Sequence, residues 1–356
     1  MTDSEGTGDT VQAAADALAA VIGEAADVDF YLTIADVTGS LRVTATSLSE
    51  RLGRMYRGAV VFQTAAGLTE SDLLGRDVHL RIERQTEQRS LRGMIASATV
   101  QAMHGFEGRQ RVSIEIVPAM HFMAHTVDSR IYQDVGVPDL VESLVRELVG
   151  SRGRKVKKDQ LTASYPAHEY IVQHQESHLD FITRLCREEG IFFYFDHDAD
   201  GEDHELLVLA DSNANRPVVR ESSDGRVPYS ANQEHARLHE VVLHAERHEQ
   251  IGATDAVVSG YDWTSPGSTV KNGRTDRGRW SGPKLEVHDH FRALRQHGYD
   301  GSRYGAHTAE RQAQMRAESL DLARQRWTLE TTVVTAKPGH VIVLEGAGAL
   351  DDRYLI

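Results

Sequence analysis

Between Val28 and Pro118, apolar and polar residues alternate with a period of two, the spacing of half-buried strands. Phe30–Ile34, Leu41–Val43, Ala59–Phe62, Val78–Ile82, Arg92–Ile95 and Arg111–Val117 carry the pattern, and polar or glycine-bearing turns separate them. Six such strands in about 90 residues predict an antiparallel barrel or sandwich. The period then changes. Leu140, Val141, Leu144, Val145 and Leu148 share one helical face, which Pro138 opens and Gly150 ends.

The most regular stretch runs from Tyr165 to Asp196. Glu169–Gln173 alternates like a strand and leads into Ser177, a good N-cap, with Asp180 at the third helical position. Leu179, Phe181, Ile182, Leu185 and Cys186 form an apolar stripe, and Gly190 stands where a C′ glycine belongs. Ile191–Phe195 is an unbroken apolar run, as in a strand buried on both faces. Farther on, Arg216–Gln233 reads as a connector and His239–His244 and Ala256–Tyr261 as strands. Ser265–Gly305 is glycine-rich and charged, so loops are expected. A helix follows over Thr308–Gln325 with a narrow stripe of Ala309, Ala313, Ala317 and Leu320, then strands at Trp327–Val334 and His340–Leu344. Val11–Ile22 is amphipathic, but its alanines bury little area. It reads as part of a mobile extension or as a docked helix of marginal stability.

Three of these segments resemble the VgrG spike proteins of type VI secretion, in the part related to the phage baseplate hub (the phage late control D superfamily). Tyr170, Gln173, Glu176, Ser177, Phe181, Arg184, Leu185, Glu188, Glu189, Gly190 and Ile191 match that family's signature. His174, His178 and Ile171 depart from the usual tyrosine, aspartate and cysteine. Ser129-Arg130-Ile131-Tyr132-Gln133 upstream resembles the family's Ser-Arg-Ile-Phe-Gln, and His204–Asp211 downstream resembles its short strand ending in Ala-Asp.

The resemblance implies an α+β fold, predominantly β, with two hub-type antiparallel β-barrels, an α+β domain and an inserted loop and helix region. The expected domains are an N-terminal extension (1–27), a first barrel (28–120) and an α+β domain carrying the signature (121–233). A discontinuous second barrel (234–262 plus 327–356) would enclose an insertion (263–326). No internal repeat of residues supports the pairing of barrels, which rests on the family alone. By the same likeness, the chain stops at Arg353–Ile356 as a barrel strand begins, ahead of an OB-fold and a β-helical needle.

Composition narrows the function. The 356 residues suggest two or three domains, and a net charge of -14 argues against a nucleic-acid partner. The one basic cluster, Arg152–Lys158, has no aromatic residue for base stacking and reads as a solvated loop. A single cysteine, Cys186, excludes an internal disulfide and fits folding in a reducing cytosol. No apolar run approaches the roughly 18 residues of a membrane helix, so no stable membrane insertion is expected. The acidic amino terminus makes a poor signal peptide.

Chemistry-bearing patterns are weak. His239-Glu240 with His244 is one residue longer than a zincin motif, and on a strand the two rings point to opposite faces. His244 with His248, and His168-Glu169 with His174, need a helix that their surroundings do not support. Asp196-x-Asp198-x-Asp200-Gly201 resembles the front of an EF-hand loop, but Leu207 stands where a bidentate glutamate is required. A polar hairpin turn accounts for it better. Cys186 lies on the apolar face of its helix, which favours a structural role. Trp263, Trp280 and Trp327 read as core or interface anchors. No nucleophile elbow, Walker loop or dinucleotide fingerprint is present.

The sequence therefore assigns no catalytic, cofactor-binding or metal residue and no cofactor, and predicts a structural protein rather than an enzyme. The resemblance implies a homotrimeric hub that docks on a hexameric, Hcp-like tube protein among baseplate subunits and delivers effector proteins. Such a hub is cytoplasmic before assembly and is exported through the contractile injection machine. The hub of a contractile phage tail or extracellular injection particle is the near alternative. A hydrolase, resting on the histidine count and the acidic turn, is the distant one.

Overall fold

The computed structural model describes residues 28–65, 67–103, 108–199, 202–214, 216–219, 224–261, 269–275, 282–290 and 306–356. The Val11–Ile22 segment, Asp200-Gly201, Trp263 and Trp280 lie outside the described residues. All six expected strands form, as β1 (Val28–Ile34), β2 (Arg42–Ser49), β3 (Arg57–Ala65), β4 (Asp77–Arg84), β5 (Glu87–Ala102) and β6 (Arg109–Val117), with a short helix α1 (Glu70–Leu73) between β3 and β4. They make one antiparallel sheet in the order β1-β4-β5-β6-β3-β2. Val60, Phe62, Leu80, Leu91, Ile95, Val112, Ile114 and Ile116 are buried in it, each side chain worth about 1.5–3 kcal/mol.

Register shifts between Ile95 and Ser97 in β5, and between Val43 and Ala45 in β2, mark bulges that sharpen the local twist. The sheet curls until β1 and β2 lie close, but they do not pair. The expected barrel is thus a curled, open half-barrel.

Pro118 ends β6 and starts a 3-10 turn over Ala119–Ala124. Then come β7 (Val127–Val135), α2 (Val137–Val149), β8 (Lys155–Gln160), β9 (His168–Ser177), α3 (His178–Glu188), β10 (Phe192–Asp196) and β11 (Leu206–Ala210). β7 and β9 form a two-stranded ribbon, while β11 pairs antiparallel with β10 and parallel with β8. α2 buries Leu140, Val141, Leu144, Val145 and Val149, and one apolar cluster joins these to the first sheet, α3 and β10.

Two local expectations change here. Gly150 follows α2 in a right-handed conformation, and the left-handed residue is Gly153, at the end of a further 3-10 turn. The basic cluster is not a solvated loop. Lys155–Gln160 is an edge strand with outward lysines, which discourage unwanted pairing, and Arg154 is buried. Its Nη2 lies 2.6 Å from Asp77 Oδ1 and its Nε 3.1 Å from the buried Glu205.

The family signature resolves into a clasp around α3. Ser177 Oγ accepts the Asp180 N–H at 3.0 Å and donates to Asp180 Oδ2 at 2.7 Å. Arg184 donates to both carboxylate oxygens of Glu176 and to the Val172 carbonyl, and it lies over the Phe181 ring. Gly190, at φ 71°, closes the helix; its N–H donates to the Arg187 carbonyl and that of Ile191 to the Cys186 carbonyl. The final carbonyls of Glu188 and Glu189 accept from Gln312 and Arg311, each at 3.0 Å.

The second half holds β12 (Arg226–Pro228), α4 (Gln233–Leu238), β13 (Val242–Glu249), β14 (Asp255–Tyr261), β15 (Thr269–Thr275), β16 (Glu286–His290), α5 (Ala306–Arg324), β17 (Gln325–Thr331), β18 (Val341–Glu345) and β19 (Arg353–Leu355). α5 closely follows the expected helix, with Ala313 and Ala317 buried. α4 follows the expected connector, which ends at Gln233, and Asn232 caps it by accepting the Glu234 N–H at 2.9 Å.

The β13–β17 ladder joins the two halves of the expected second barrel. β14, however, pairs with β15 and β16 from the expected insertion, and β12-β18-β19 make a separate sheet. Among the described residues these are small sheets rather than a closed second barrel. Val219, Val227, Val242, Val333, Ile342 and Leu344 give this part a core of its own.

The α3 caps make definite predictions. Gly190→Ala adds a Cβ to a left-handed residue and drives it into Met315, so it should destabilise by about 2 kcal/mol or more. Ser177→Ala should lose about 1 kcal/mol. Urea unfolding measures both, and a wild-type midpoint for Gly190→Ala would contradict the cap.

Candidate functional site

The patterns that suggested chemistry do not converge. His239 is exposed, Glu240 is buried and accepts the Val334 N–H at 2.9 Å, and His244 points outward beside Glu246. His168 is buried against Glu189, with Nε2 3.2 Å from Oε1. Asp196 and Asp198 lie at a β10–β11 hairpin and face the Lys337 ammonium, whose Nζ is 3.0 Å from Asp198 Oδ2. Cys186 is 1% exposed, and burial pushes its thiol up to about 12, which makes it unreactive. Trp327 is partly exposed, with Arg247 over its ring. No group of three or more histidine, cysteine or carboxylate side chains with metal-holding geometry occurs among the described residues.

What the chain builds instead is a polar joint between its two cores. The β4–β5 hairpin carries Arg84 and Arg89, 3% and 9% exposed, into the second half. Arg84 donates to the carbonyls of Thr332 at 2.9 Å and Ala236 at 2.5 Å, and Gln85 donates to Leu238 at 2.8 Å. These groups satisfy carbonyls at the end of α4, where a positive charge is favoured. Arg89 pairs with Glu50, whose side chain is 9% exposed, and donates to the Ala336 carbonyl at 2.6 Å. Burial lowers Arg89 to about 10, so it stays charged at neutral pH.

His197 fills the space beneath. Its Nδ1 accepts the Arg92 N–H at 3.1 Å, its Nε2 lies 3.6 Å from Glu50, and its ring meets Tyr56 edge-on at 4.8 Å. Lys337 and Gly339 close the seam, Gly339 against the Tyr194 ring. A shallow cleft lined by Gln85, Thr86, Glu87, Pro228, His235, His239 and Glu240 opens beside it. In sequence the hairpin looks like any charged turn, and nothing marked these residues out.

The second feature is a surface. On the β7–β9 ribbon, Val127, Ile131, Tyr170 and Val172 are 68%, 69%, 57% and 42% exposed. Ile131 stands directly opposite Val172, and Tyr170 opposite Gln133. The inward row is packed: Tyr132 stacks on Phe181 at 5.7 Å, and Ile171 and Gln173 are buried. The two resemblance motifs on this ribbon therefore place one row in the core and show the other to the outside. An apolar row of this kind suits a protein contact and does no chemistry.

Residues 49–356 match the family model described as the phage tail baseplate hub. The chain belongs to that family. It is 26% identical over 314 residues to the type VI secretion spike protein VgrG1b of Pseudomonas aeruginosa, covering 86% of this chain and 39% of the relative. VgrG1a of the same organism is also 26% identical, over 301 residues, covering 83% of this chain and 43% of the relative. The chain thus spans less than half the length of these relatives.

Among solved structures, the E. coli c3393 protein superposes with a TM-score of 0.65 at 19% identity, covering 92% of this chain and 71% of that one. That protein is a component of the type VI secretion system with structural similarity to the phage T4 tail proteins gp27 and gp5. The prophage MuSo2 tail protein of Shewanella oneidensis gives 0.60 at 11% identity, covering 93% and 92%. At these identities the likeness is one of fold. The baseplate hub family is a structural one, and no described helix is long and apolar enough to cross a membrane.

The joint predicts two measurable behaviours. Arg89→Met leaves Glu50 buried without its guanidinium and should lower stability by about 3–5 kcal/mol in urea unfolding. His197 and His340 are each lowered to about 4, first by burial, then by Arg89 near His197 and Lys337 near His340. Unfolded imidazoles protonate near pH 6.5, so below that the unfolded chain binds more protons than the folded one. Stability should be complete above pH ~6.5 and fall steadily as the pH drops toward ~4. The carboxyl of Asp198 is lowered from its ordinary value by Lys337 against the opposing effect of burial, so its loss comes at lower pH still. A melting temperature that does not change between pH 7 and 5 would contradict the buried neutral histidines.

Proposed function

We propose that this chain is a structural hub of a type VI secretion spike, a homotrimer that docks on the hexameric tube of a contractile injection machine. The observation that carries this reading is the family match over residues 49–356, on a scaffold most of whose signature residues serve packing or capping around α3. The role is mechanical. Copies of the curled half-barrel and the small second-half sheets, arranged about a threefold axis, present repeated β modules to the tube, with the second half completing a barrel-like module in the assembly. Within each chain the domains are an N-terminal extension, the first sheet, the α+β unit with the clasp, the discontinuous second module and its insertion.

In this account the exposed ribbon row Val127, Ile131, Tyr170 and Val172 is an assembly contact, and baseplate subunits and effector proteins are further partners. The protein collects in the cytoplasm and leaves through the machine. No cofactor and no nucleic acid takes part.

The hub of a contractile phage tail is a second reading, favoured by the fold likeness to a prophage tail protein along nearly its whole length. Mixing the chain with type VI tube protein or with phage tail tube protein separates the two readings. Sedimentation with the type VI tube protein should give a complex containing three copies of this chain, and Ile131→Asp should weaken it at least about tenfold, or 1.4 kcal/mol. A chain that stays monomeric and ignores both tubes at high micromolar concentration would refute the hub.

A further inference from the structure

One pair of side chains serves neither the joint nor the clasp. His121, on the 3-10 turn between the first sheet and the ribbon, and His125, the residue that caps the turn, lie four residues apart with their Nε2 atoms 3.1 Å apart. The rings meet edge-on, with centroids at 4.8 Å. The turn that holds them is anchored on both sides. Ala119, Met120 and Met123 are buried in the main core, Ala119 N–H donates to Glu205 at 2.8 Å, and Phe122 lies under the Arg152 guanidinium. His121 is half-buried, with an Nδ1 that has no hydrogen-bond partner, so its polar contact falls on Nε2; His125 is exposed. Arg57 stands beside the pair, and its charge is balanced by Glu115 at 2.7 Å.

From this geometry we propose that His121 and His125 form a two-imidazole chelate for a late first-row divalent cation such as zinc, nickel or copper. Imidazole nitrogen suits those ions, and metal–nitrogen bonds of about 2.0–2.1 Å place two ligand nitrogens about 2.9 Å apart at a right angle and about 3.4 Å apart at a tetrahedral one. The observed separation falls between these values. The ion replaces the proton that one ring shares with the other, the donor ring moving to its Nδ1–H tautomer. Little ordering is needed on binding, because the turn is already fixed by the core. Water fills the remaining positions. The sequence reading did not single out this His-x-x-x-His spacing; the 3-10 turn is what brings the two rings together.

The test is calorimetric titration of the untagged full chain with zinc, nickel and copper chlorides at pH 7.5, alongside His121→Ala, His125→Ala and His235→Ala/His239→Ala. The last is a second histidine pair whose ring centroids are 4.7 Å apart. One ion per chain is expected, with affinity weakened at least about tenfold in either of the first two variants and unchanged in the third. His125 is exposed, so its variant folds even if His121→Ala does not. Absence of binding at micromolar concentration overturns the proposal, as does binding that survives His125→Ala or disappears only with His235 and His239.

Discussion

Two buried guanidinium groups, on Arg84 and Arg89, span the gap between apolar cores that form separate clusters. With Lys337 and the α5 contacts, they set how the two halves meet. The first core runs from the curled sheet through α2 and α3 to β11, and the second gathers around β13 and β18. Hydrophobic burial makes each body stable but says nothing about their relative placement, because it has no direction. Arginine gives direction. Its planar, permanently charged fork reaches several backbone carbonyls at once and fixes an angle as well as a distance. Taking such a charge out of water is expensive, so the joint contributes little net stability and much orientation.

The clasp around α3 follows the same economy of means. Glu176 grips Arg184, Ser177 and Asp180 cap one end, and Gly190 and Ile191 close the other. Helix α5 then covers the last carbonyls with Gln312 and Arg311, docking a helix from the second half onto the first body. A family signature is often read as a reactive site. Here the signature side chains other than the exposed Tyr170 serve packing, pairing or capping, as befits a structural component.

Much of this was legible in the chain because it is local. Alternation located all six strands of the first sheet, and cap residues located both ends of α3, since strand pleat and helix ends depend on near neighbours. What escaped depends on distant partners. Arg154 looked like part of a solvated loop until Asp77 and Glu205 were placed around it. β14 was recognised as a strand, but its partners β15 and β16 lie in a segment with almost no periodicity. The joint residues Glu50, Arg89, His197 and Lys337 are scattered over the chain, and each alone resembles ordinary surface charge. The spacing of His121 and His125 was visible, but not the turn that brings their nitrogens together.

The central claim is that the arginine joint makes the two cores move as one body. Native-state hydrogen exchange tests it most directly, by comparing amides of β5 and β18 in the wild type and in Arg84→Met, which removes contacts to the second half without orphaning Glu50. The account predicts matched opening energies for both strands in the wild type. In the variant β18 should open at lower energy while β5 keeps its protection. Independent opening of the two strands in the wild type, or equal loss in both strands of the variant, would contradict it.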